Sequence, residues 1–122
     1  MPDPSFIILY VDAPPKSAAF YAGLLGAPVL ENSATFAMLP LRPGVMLGLW
    51  SRHTVEPAAT AGGGGAEIGF TVVNPAAVDT TYADWAGRGL DILQTPVDMD
   101  FGRTFVALDP DGHRLRVFAP AG

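Results

Sequence analysis

Three charged side chains stand where the sequence is otherwise apolar. Glu67 opens the stretch EIGFTV, and Arg114 and Arg116 alternate with Leu115 and Val117 in RLRVF, just after the turn-forming run Asp109-Pro110-Asp111-Gly112. A carboxylate and a guanidinium on neighbouring strands can neutralise one another, meet a polar ligand edge, or leave a desolvated carboxylate able to act as a base. Other reactive groups are few. The chain has no cysteine, which removes thiolate nucleophiles and sulfur-rich metal sites. Its two histidines, His53 and His113, have no metal-type spacing and are read as solvent-exposed. The four glycines 62–65 are followed by no Lys-Ser/Thr pair and preceded by no strand, so they do not form a phosphate loop; no G-x-S-x-G or dinucleotide fingerprint occurs either.

These residues must be positioned by one small folded domain. With 122 residues the chain can bury a core but not two independent ones, and 49% apolar against 16% charged residues excludes a disordered chain. So low a charge also suggests that a second copy covers part of the apolar surface. Seven Lys/Arg against twelve Asp/Glu leave a net charge of −5, which repels phosphate backbones and argues against nucleic acid as a partner. No apolar run approaches the roughly 18 to 20 residues that span a bilayer, and the start MPDPSF lacks the basic flank of a signal peptide, so a soluble, cytoplasmic protein without a membrane partner is expected.

Two similar passages follow one another. FIILYV (6–11) has strand length and composition; after Pro14 and Pro15, KSAAFYAGLL carries Ala18, Tyr21, Leu24 and Leu25 at helical spacing and stops at Gly26. Short strands are expected around Val29–Leu30, Thr35–Leu39 and Val45–Trp50. Residues 51–65 lack periodicity and read as a flexible linker. The pattern then returns: EIGFTV, a helix capped by Asn74 with Pro75 in its first turn, and the strands LDIL, TFVAL and RLRVF. Val11 to Tyr21 and Val72 to Tyr82 are equal intervals, as a duplicated β-α-β-β-β unit requires. The predicted fold is α+β, with module one at 1–52, a linker at 53–65 and module two at 66–122.

A tandem pair of this length, with V...S..FY..LLG early and DPDG before the last strand, resembles the vicinal oxygen chelate superfamily, which holds glyoxalase I, extradiol dioxygenases, fosfomycin resistance enzymes and bleomycin resistance proteins. The resemblance implies that each module curls its sheet into a cup, with the helix on the convex side. Strand alternation then sends Ile7, Leu9 and Val11 under the first helix and Phe6, Ile8 and Tyr10 into the cup; likewise Arg114, Arg116 and Phe118 face the cup while Leu115 and Val117 enter the core. Metal-dependent members place His or Glu at four cup positions, which align with Phe6, Gly48, Glu67 and Arg116. Of these only Glu67 could ligate a metal, so no metal and no other cofactor is expected.

The blocks LGLWS (47–51), EIGF (67–70) and FGRTF...DPDGHRLRV (101–117) are similar to the phenazine antibiotic resistance proteins, a metal-free branch that binds its drug without changing it. That resemblance implies a planar aromatic small molecule as ligand and a homodimer with shared binding cups. The ligand-binding residues expected are Tyr10, Phe36, Met38, Met46, Gly48, Trp50, Glu67, Phe101 and Arg116, with no catalytic residue. Gly48 would open the slot. The alternative is a glyoxalase- or dioxygenase-like lyase or isomerase using Glu67 as base or metal ligand. Plainer roles stay open: Trp50 as a core or interface residue, Phe101 as a loop plug, Glu67 with Arg116 as a structural bridge, and Arg103 capping a loop or pairing with Asp98 or Asp100. Tyr21, Tyr82 and Trp85 are expected in the core.

Overall fold

The computed structural model describes residues 2–121. The chain forms two compact units, residues 1–62 and 63–122, each a mixed four-stranded sheet with one helix, so the class is α+β. In the first unit, β1 (Phe6–Val11) leads into α1 (Pro14–Leu25). Pro14 and Pro15 occupy the first turn, where a missing N–H leaves no bond unmade. Gly26 ends the helix with φ 63°, its N–H bonded to the Ala22 carbonyl at 2.9 Å. Then come β2 (Glu31–Asn32), β3 (Phe36–Arg42) and β4 (Val45–Ser51), in sheet order β1-β4-β3-β2 with β1 parallel to β4.

The second unit repeats this plan with β5 (Glu67–Thr71), α2 (Pro75–Gly87), β6 (Asp91–Met99), β7 (Gly102–Leu108) and β8 (Arg114–Pro120), in order β5-β8-β7-β6 with β5 parallel to β8. Asn74 caps α2 as its sequence predicts, accepting the Ala77 N–H at 2.8 Å. Each helix covers one sheet face. Val11, Ala18, Tyr21, Ala37, Leu39, Leu47 and Leu49 are fully or almost fully buried in unit one, and Val78, Phe105, Ala107, Leu115 and Val117 in unit two. Trp85 is buried and Tyr82 half-buried; both rings stand edge-on to Phe105 at 5.5 Å.

Several local expectations need correction. The second strand is only Glu31–Asn32, later than Val29–Leu30, because its pairing partners are Met38 and Ala37. Ile7 does not pack beneath α1 but is 40% exposed: the helix lies over β3 and β4, leaving the start of the edge strand β1 uncovered. LDIL is only the beginning of β6, which runs on to Met99 through two register shifts against β7. Residues 51–65 are not featureless: Val55 is buried and its N–H binds the Ser51 carbonyl at 3.0 Å, while a Cβ on Gly63 would lie 2.7 Å from backbone atoms of Asp111 to His113.

The DPDG turn sets the start of β8. The buried Asp109 carboxylate accepts the N–H groups of Asp111 at 2.8 Å and His113 at 2.9 Å, and Gly112 takes φ 81°. Asp109→Ala should cost about 1–3 kcal/mol of stability in chemical denaturation, because it strands those amides. Gly102, at φ 138°, leaves no room for a Cβ, which would overlap the Ala119 carbonyl oxygen. Gly102→Ala should therefore cost roughly 3 kcal/mol or more.

Candidate functional site

Register decides which side chains share the sheet face turned away from each helix. In unit one Phe6, Ile8 and Tyr10 of β1 pair with Met46, Gly48 and Trp50 of β4, and these in turn with Pro40, Met38 and Phe36 of β3. Paired residues point the same way, so Tyr10, Phe36, Met38, Met46, Gly48 and Trp50 form one continuous surface. Phe36 and Trp50 stand edge-on at 6.1 Å. Phe6, Ile8 and Tyr10 are 40–48% exposed, an unusual amount of apolar surface for one strand. Among the described residues, the acid that register adds to this face is Glu31, opposite Met38.

Gly48 is not an open gap. A Cβ there would lie 3.1 Å from the tip of the Phe36 ring and 3.3 Å from Ile8, so these two side chains occupy the space that a longer residue would take. Sequence reading identifies the missing side chain but not what fills its place, since β3–β4 register is needed to bring Phe36 over it. Gly48→Ala should cost about 1–2 kcal/mol by overpacking, and in a double-mutant cycle Phe36→Leu should recover part of that loss.

In unit two, Glu67 lies opposite Arg114 and Gly69 opposite Arg116 across β5 and β8. The Arg116 guanidinium grips Glu67 with two bonds, Nε to Oε1 at 2.7 Å and Nη2 to Oε2 at 2.9 Å, and its Nη1 donates to Thr104 Oγ1 at 3.2 Å. Thr104 Oγ1 is fixed in turn by donating to the Val117 carbonyl at 2.9 Å. Phe101 stands beside this group, 6.0 Å from Phe118 and 6.0 Å from Arg116 Cζ, and is 46% exposed. Val97 and Met99 join the same face through Thr104 and Gly102. Sequence reading misses both because it ends their strand at Leu93; the alternation of Val97 and Met99 before Phe101-Gly102 is the available signal.

Arg103 and His53 do not belong to these faces. Arg103 points to the helix side, joining Asp79 of α2 at 2.9 Å and Asp98 of β6 at 3.1 Å; Asp98 was expected, and Asp79 takes the place expected of Asp100. His53 is exposed but paired, its Nε2 2.7 Å from Asp12 Oδ1, with Arg52 3.6 Å from the same oxygen. His113 is half-buried in the turn before β8.

A model of the Glyoxalase/Bleomycin resistance protein/Dioxygenase superfamily matches residues 4–117. The chain belongs to that superfamily. A relative, the phenazine antibiotic resistance protein EhpR of Enterobacter agglomerans, is 26% identical over 117 residues, covering 93% of this chain and 89% of its own. An Agrobacterium tumefaciens protein known from solution NMR is 56% identical with a TM-score of 0.89 over the whole of both chains. A glyoxalase/bleomycin resistance protein/dioxygenase from Nocardioides is 26% identical with a TM-score of 0.82, over 98% of this chain and 84% of that one.

The four positions that the resemblance aligns with metal ligands, Phe6, Gly48, Glu67 and Arg116, do not suit a metal. Unit one supplies a phenyl ring at Phe6 and, at Gly48, a backbone covered by Phe36 and Ile8. Unit two supplies a carboxylate whose two oxygens are both taken by a permanently charged guanidinium. Among the described residues no three His, Cys, Asp or Glu side chains cluster as a metal would require.

Hydrogen bonds from Arg116 hold the Glu67 carboxyl below its ordinary value; partial burial opposes this, and the charges of Arg116 and Arg114 add to it. A depressed folded value means that the pair's stabilisation is present above about pH 4.5 and is lost as pH falls through the lower folded value. The stability of the parent toward denaturant should therefore fall more steeply with acid in that range than that of Glu67→Gln.

Proposed function

We propose that this chain binds a planar aromatic small molecule of the phenazine type and sequesters it unchanged, as a cytoplasmic resistance protein. One observation carries the reading: the unit-one face is a continuous aromatic and methionine surface, Tyr10, Phe36, Met38, Met46 and Trp50, and the acid that register adds to it among the described residues, Glu31, stands beyond Met38 on the edge strand β2. Such a surface favours a flat apolar ring through stacking and the exclusion of water. The likeness to a phenazine resistance protein supports the same class of ligand. The unit-two face, described by itself, carries the exposed Phe101 ring beside the Glu67–Arg116 pair. The alternative use of Glu67 as a base is disfavoured, because a carboxylate held low and bonded through both oxygens is a poor proton acceptor.

Titration with phenazine, followed by tryptophan fluorescence, should saturate, and the compound should be recovered unaltered. Trp50→Ala should weaken binding about tenfold or more while the chain still folds. Equal affinity in parent and mutant would remove Trp50 from the site; an altered compound would make the protein an enzyme.

The reading includes a homodimer. Phe6, Ile7 and Ile8 stand 40–48% exposed on an edge strand, which a second copy would cover. Sedimentation at micromolar concentration should give about twice the 12.8 kDa chain mass, and a monomer would contradict it.

A further inference from the structure

We propose that Arg114, not Arg116, meets the charged edge of a ligand, so that the unit-two face selects planar aromatic compounds bearing a carboxylate. This rests on the reading of that face as a binding surface and adds the chemistry of what it prefers.

Charge and occupancy separate the two arginines. Arg116 is largely committed: three of its five N–H groups donate to both Glu67 oxygens and to Thr104 Oγ1, its charge is matched by Glu67, and its side chain is only 21% exposed. For Arg116 to offer a ligand carboxylate its Nε–Nη2 fork it would have to leave Glu67, which is unfavourable for a carboxylate two-thirds withdrawn from water. Arg114 differs. It lies on the same face, opposite Glu67, with Nη1 3.9 Å from Oε2, beyond hydrogen-bond reach, and its side chain is 42% exposed.

Glu67, Arg114 and Arg116 together leave one positive charge. Among the described residues, the other acid that register places on this face is Asp91, reached from Arg114 across Leu108, about 10 Å away at two strand spacings and so largely screened. Asp109, just before the strand, turns its carboxylate to the amides of its own turn. In a chain of net charge −5, this is a local cation among acids, able to hold one anionic group while the surface as a whole repels polyanions.

The spacing also suits a flat molecule. Arg114, Arg116 and Phe118 follow one another along one face of β8 at about 6.6 Å intervals, with Phe101 beside the last two. A fused ring system lying over Arg116 and the two phenyl rings would carry its substituent toward Arg114. Contact there adds a charge-assisted bond that an unsubstituted ring cannot make.

Phenazine-1-carboxylate and unsubstituted phenazine, titrated against the parent, Arg114→Gln and Arg114→Lys, test this. The parent should bind the carboxylate about tenfold more tightly than phenazine. Arg114→Gln should abolish that preference, weakening the carboxylate far more than phenazine, Arg114→Lys should restore part of it, and added salt should reduce it. If parent and Arg114→Gln bind both compounds alike, or the preference survives in Arg114→Gln, the assignment of Arg114 is wrong while the aromatic reading stands. Failure of the parent to bind either compound would overturn the aromatic reading and this inference with it.

Discussion

The forked ion pair between Glu67 and Arg116 governs what the second unit can do. It joins β5 to β8 across their shared face, uses both carboxylate oxygens, and is itself anchored through Thr104 to the backbone of β8. A carboxylate so held is neither a ready metal ligand nor a ready base. A guanidinium so held is a fixed, nearly neutralised wall beside Phe101 and Phe118, and the unspent charge passes to Arg114.

The first unit solves the same geometry with apolar groups. Its strands carry the same parallel pairing, so Phe6 and Gly48 stand where Glu67 and Arg116 stand in the second. Where the second unit has a charged fork, the first has the Phe36 ring lying over a glycine and Ile8 closing the side. The two units thus carry two faces with one backbone plan and different chemistry, one apolar and one with a charged fork. Membership of the superfamily accounts for the plan.

Much of this is legible in the order of the residues alone, because alternation in a strand is a strong constraint. Once EIGFTV and RLRVF are strands leaving a DPDG turn, Leu115 and Val117 must face opposite to Arg114 and Arg116, and burial agrees. Helix limits are legible through Pro14, Asn74, Pro75 and Gly26, whose backbone requirements are local. What is not legible depends on distant partners. Ile7 fits the alternation of a buried strand but lies where α1 does not reach. The second strand is hard to place since two residues of pairing leave little trace in composition, and the full length of β6 is hidden because register shifts break its periodicity. Gly48 looks like an opening because the ring that covers it comes from another strand.

The most direct test of the central claim, metal-independent binding of an unaltered aromatic ligand, is equilibrium dialysis with phenazine before and after exhaustive chelation, recovering the compound each time. Unchanged affinity and stoichiometry with intact phenazine is the predicted result. Binding lost on chelation and restored by a divalent metal, or recovery of a converted product, would contradict it.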